Sequence, residues 1–158
     1  MAIYTPLDLQ DELAKEIERL LSENRYKAPG GEMAKMRVFT QNIPINETDD
    51  EEDPIPYVIV RLSGGDDNGA KDSFNTVEVV LIVGIFDDSL DEQGYRDIMG
   101  VMNKIYHRFH KDPRLSESAV YAGAFKWMLQ EDSYYPYSFG ACNMNFYIPA
   151  IRREDPYA

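Results

Sequence analysis

The residue types that do covalent or metal chemistry are few in this chain, and their spacing does not suit it. There are two histidines and one cysteine among 158 residues. His107 and His110 stand three apart, whereas a helical zinc pair sits at i, i+4 with a glutamate between and a third ligand elsewhere. Cys142 falls between Gly140 and Met144 in an alternating apolar run, a packing position; a nucleophilic thiol needs exposure and a lowered pKa. No serine sits in a nucleophile elbow. Asp87 and Asp88 follow a strand, where neighbours face opposite ways, so turn and helix-cap roles suit them better than an acid pair. The glycine-rich segment 63–73, SGGDDNGAKDS, lacks the lysine followed by Ser or Thr that opens a helix in a phosphate loop. The segment 46–56, NETDDEEDPIP, carries Glu47, Asp49, Asp50, Glu51, Glu52 and Asp53 without calcium-loop spacing and reads as a solvated charge run. The expectation is no catalytic residue, no metal site and no cofactor.

The elements around these residues read more clearly. In 74–110, Val77, Val79, Leu81, Val83 and Ile85 alternate on one face, and Glu78 gives way to Val80, Ile82 and Phe86 on the other. That is a strand inside a sheet. Ser89-Leu90-Asp91-Glu92 fits a capping box. After it Tyr95, Ile98, Met99, Met102, Ile105, Tyr106 and Phe109 form a helical stripe that Asp112-Pro113 ends. Residues 1–24 predict a first helix, with Thr5 as N-cap, Pro6 in the first turn and Asp8 against the dipole. Its stripe of Leu9, Leu13, Ile17, Leu20 and Leu21 docks on its own domain or on a neighbouring subunit.

Further strands are expected at 35–40, 57–62, 119–129 and 141–148, with a turn at Ala28-Pro29-Gly30-Gly31. In the last strand Cys142, Met144, Phe146 and Ile148 point inward. The segments 46–56 and 63–73 read as mobile loops that order on docking. The prediction is one α+β domain over 1–158, a mainly antiparallel sheet of four to five strands with two helices packed on one face.

Charge limits the partners. The formal net charge is −12, which argues against a protein that grips DNA through a basic patch. No apolar run reaches the roughly 20 residues of a membrane span. The first residues lack a signal-peptide pattern, and a lone cysteine suits a reducing compartment. Positive charge gathers at Lys104, His107, Arg108, His110, Lys111 and Arg114. Set against the acidic 47–53 run, it offers a head-to-tail contact between copies, the kind that closes into rings. Tyr134, Tyr135 and Tyr137 cluster in one turn. Contact with a protein partner and packing at the sheet end both fit them better than base stacking, since no Lys or Arg stands beside them.

The order PYVIVRL, a loop, VEVVLIVGIFD, a GYRDIMGVMNKIYHRF helix and a last strand ending NFYIPAI resembles the tail terminator and head–tail joining proteins of long-tailed phages, over roughly residues 56–151. The resemblance implies a non-enzymatic virion protein, made in the host bacterial cytoplasm. Such a protein forms a ring, commonly a hexamer, on the last ring of the tail tube. Its partners would be further copies of itself, the tail tube protein and the head connector. DNA would pass through the hole without specific binding, eased by acidic side chains. The alternatives are another neck or minor tail component, or a cellular α+β binding module.

Overall fold

A computed structural model describes residues 3–44, 54–70 and 74–151. In chain order the elements are α1 (Pro6–Leu20), β1 (Tyr26–Lys27), β2 (Met33–Ala34), β3 (Arg37–Thr40), β4 (Tyr57–Asp66), β5 (Asn75–Phe86), α2 (Tyr95–Lys111), β6 (Val120–Leu129) and β7 (Tyr137–Ile148). The five longer strands form one sheet in the order β3-β4-β5-β7-β6, and β1 and β2 pair separately. The fold is α+β. The sheet is mixed, because β3 runs parallel to β4 while the other three pairings are antiparallel.

The alternating run is the centre of the sheet. Val79, Leu81, Val83 and Ile85 are fully buried, and so is the matching β7 set of Cys142, Met144 and Phe146. β5 lies between β4 and β7 over nearly its whole length, so both of its ladders are paired. Both helices press their apolar stripes onto this face: Leu9, Leu13 and Ile17 from α1, and Ile98, Val101, Met102, Ile105 and Phe109 from α2. α1 starts as its sequence predicts. Asp8 N–H donates to Thr5 Oγ1 at 3.3 Å, and Thr5 N–H donates back to Asp8 Oδ2 at 2.8 Å.

Among the described residues one buried polar side chain enters this core. Gln10 donates through Nε2 to the Val60 carbonyl at 2.9 Å and to Gln41 Oε1 at 3.0 Å. The Gln41 amide in turn bonds both Leu62 backbone groups, accepting from its N–H at 3.0 Å and donating to its carbonyl at 3.2 Å. Gln41 therefore continues the β3–β4 ladder past the end of β3 with a side chain in place of a strand residue.

Several sequence expectations change: α1 spans only Pro6–Leu20 of the expected 1–24, and β7 opens at Tyr137, four residues before the expected 141. The Ser89–Glu92 capping box does not form. Asp87 accepts both the Ser89 hydroxyl and its N–H, so Ser89 is spent on a local turn. Glu92 adopts φ +51°, and α2 opens only at Tyr95, behind a Gly94 N-cap with no side-chain bond. The 63–73 loop is shorter than expected, because Ser63–Asp66 belong to β4. A bulge after Leu62 lets Gly64, Gly65 and Asp66 pair with Glu78, Val77 and Thr76. The strand expected at 35–40 begins at Arg37. The acidic run Glu47, Asp49, Asp50, Glu51, Glu52 and Asp53 lies outside the described residues, as do 71–73.

Candidate functional site

The face of the sheet away from the helices carries residues that a closed core would hide. Ile55, Tyr57 and Ile59 are buried there, with Phe39, Ile43, Ile82, Phe86, Tyr137 and Phe139 packed around them and partly open. No described helix lies on it. Gly84 makes room for Tyr57: a Cβ at Gly84 would stand 2.6 Å from the Tyr57 ring. The sheet also has an open edge. At the start of β6 the Pro113 carbonyl takes the Tyr121 N–H at 2.7 Å, and Arg114 bridges Val120. Further on, Trp127 is 51% and Met128 46% exposed. Trp127 and Phe125 of β6 share a groove with Met99 and Tyr106 of α2.

The basic residues at the end of α2 divide into two groups. Arg108 is turned inward. It pairs with Glu16 at 3.4 Å, donates to the carbonyls of Asp112 and Arg114, and lies 4.7 Å over the Phe109 ring. It ties α1, α2 and the following loop together and closes the helix end. Lys104 donates to Asn24 Oδ1 at 2.6 Å. Lys111 and Arg114 are exposed. His110 bonds Tyr121 Oη at 3.2 Å and stacks on Tyr106 at 4.1 Å.

At the other end of α2 the chain builds a cleft of about 380 Å³ between the β5–α2 connection and the β6–β7 turn. Asp87, Glu92, Glu131 and Asp132 stand around it. Tyr95, Tyr135, Ile98 and Phe139 also line it. Two contacts hold its sides together: Tyr135 Oη donates to the Asp88 carbonyl, and Ser133 Oγ donates to Glu92 Oε1 at 3.0 Å. Lys27 reaches Asp87 at 3.5 Å and Asp88 at 3.6 Å. The Ser89 hydrogen bonds, reinforced by Lys27, hold the Asp87 carboxyl below the usual range. Glu131 and Asp132 have no ion pair among the described residues.

The tyrosine turn is therefore divided. Tyr134 (59% exposed) and Tyr135 (43% exposed) face outward at the cleft end, whereas Tyr137 packs edge-on against Phe86 at 5.8 Å. The sequence gives Asp87 and Glu92 turn and cap roles and sets Tyr134, Tyr135 and Tyr137 in a separate turn. No sequence signal joins them, since only the β5–β7 and β6–β7 pairings bring the two turns side by side.

Among the described residues no three His, Cys, Asp or Glu side chains converge as metal ligands. Nor is any described helix long and apolar enough to cross a membrane. Burial pushes the Cys142 thiol up from an ordinary 9.0 to about 12. A raised folded-state pKa means that the unfolded chain loses its proton first, so this contribution is intact below pH 9 and is lost as pH rises toward 12. Between pH of about 8 and about 10, wild type should lose about 1.4 kcal/mol more stability than Cys142→Ala in urea unfolding. Parallel pH curves would show that the thiol is not sealed in.

No protein-family model matches the chain, and no curated protein matches it significantly.

Proposed function

We propose that this protein is a structural subunit of a long-tailed phage or prophage particle, a tail terminator or head–tail joining protein that acts without catalysis. Copies assemble into a ring, hexameric in the family it resembles, that sits on the last ring of the tail tube, stops tube growth and meets the head connector. The protein is made in the bacterial cytoplasm and ends in the virion neck. DNA passes through the ring unbound, since like charges do not adhere. No cofactor or membrane takes part.

The observation that carries this reading is the unfinished sheet. One face holds both helices. The other leaves Phe39, Ile82, Phe86 and Phe139 only partly covered, and the β6 edge exposes Trp127 and Met128. Apolar surface and open strand edges of this kind are liabilities in a lone subunit and contact surface in an assembly. The element order and the −12 charge agree with the resemblance.

The test is assembly. Light scattering and electron microscopy of the purified protein, alone and with tail tubes from the same genome, should show closed rings or ring-capped tubes of fixed length. A chain that stays monomeric at every concentration and leaves tube growth unchanged would rule the function out.

A further inference from the structure

The two ends of α2 carry opposite charge, and each has groups without an internal partner. At its N-terminal end is the tyrosine-lined cleft, rimmed by Asp87, Glu92, Glu131 and Asp132. At its C-terminal end Lys111 and Arg114 extend into solvent, while Arg108 and Lys104 are held by Glu16 and Asn24. The helix has 17 residues, so the two ends stand about 25 Å apart. Lys111 and Arg114 therefore cannot reach the cleft of their own chain, and the one cation that does, Lys27, touches it only at Asp87 and the adjacent Asp88.

We infer that the cleft between the β5–α2 connection and the β6–β7 turn receives the Lys111–Arg114 end of a second copy. This rests on the ring-forming reading and assigns one of its contacts.

Three features of the cleft favour long cationic side chains. Its carboxylates are spread around the rim and do not converge, which suits ammonium and guanidinium groups better than a metal ion. Tyr95 and Tyr135 line the same cleft, so a guanidinium entering it can gain cation–π as well as ionic attraction. The apolar part of its lining can take the methylene stems. Lys27 serves only the Asp87–Asp88 side of the rim, while Glu131 and Asp132 have no ion pair among the described residues.

The contact is heterologous, since one surface meets a different surface on the next copy, and such contacts propagate until rotation closes them. It also explains how subunits of charge −12 can pack side by side: each junction sets a locally positive end against a negative cleft. The acidic 47–53 run is not required.

Charge reversal of exposed residues tests this on the full chain, with sedimentation velocity at low salt as the readout. Glu131→Lys with Asp132→Lys should weaken self-association by about tenfold or more, and so should Lys111→Glu with Arg114→Glu. Carrying all four substitutions should restore assembly. That recovery also shows that the single-end variants fold. Added salt should weaken wild type more than either variant. If wild type assembles and the variants assemble equally well, the contact lies elsewhere and the ring reading stands. If both single-end variants are impaired and the four-fold swap does not recover, the pairing assigned here is wrong. A wild type that neither self-associates nor caps tubes removes the ring reading and this contact together.

Discussion

Phe109→Ala is expected to cost about 3–5 kcal/mol of folding stability. Phe109 is fully buried in the last turn of α2, where the helix lands on the sheet. Its ring meets Phe146 edge-on at 5.5 Å and Tyr121 at 5.9 Å, and the Arg108 guanidinium lies 4.7 Å over its face. Removing it takes away the apolar transfer term and leaves a cavity. Phe146 and Tyr121 come from paired strands and cannot close that cavity without breaking their ladder. The effect reaches the surface as well, because Arg108 loses the ring beneath it while still holding the Asp112 and Arg114 carbonyls. Urea unfolding should show a lower midpoint with an unchanged slope. A loss below about 1 kcal/mol would mean that this end of α2 is not locked to the sheet.

Gly140→Val should cost about 3 kcal/mol by the opposite mechanism. Gly140 is the β7 position over which the start of α2 passes. A Cβ there would stand 2.7 Å from Ile98 Cγ2, 2.9 Å from Met102 Cε and 3.2 Å from the Met128 carbonyl. Methionine can give way, but a β-branched isoleucine and a paired carbonyl cannot. Valine's own preference for strands is worth at most about 1 kcal/mol, which is too little to offset lifting the helix. Because the clash has a named partner, it should show coupling. Ile98→Ala alone opens a cavity, and with Gly140→Val the two volumes exchange, so the double variant should lose less than the sum of the single losses. Strict additivity would place α2 further from β7 than the distances above.

These two residues illustrate what could be read in advance. Phe109 lay on a helical stripe, and its burial followed from period alone. Gly140 stood one residue before the strand expected at 141–148, and nothing in the chain announced that its missing side chain was the seat of a helix. The same contrast runs through the connections. Ser89-Leu90-Asp91-Glu92 matched a capping box letter for letter, yet Asp87, two residues earlier, took the serine first, and Gly94 packed against Ser138 and Asp87 marks the true start. Ser63–Asp66 had loop composition but gained strand geometry from a partner already in place on β5. Local propensity loses to a pre-existing ladder when the segment has no strong preference of its own.

Apart from the short β1–β2 pair, the sequence by itself determined the two helices and the five longer strands, the buried faces of β5 and β7, the cap of α1 and the stop of α2. Each depends on periods of two or about three and a half residues, or on one residue's φ, and those are local properties. Tertiary structure decided the parallel direction of β3, the inward turn of Arg108 toward Glu16, and the meeting of Asp87 and Glu92 with Glu131 and Asp132 across 39 to 45 residues of chain. Strand direction and charge pairing are set by which segments become neighbours, and no pattern along a single segment records its neighbour.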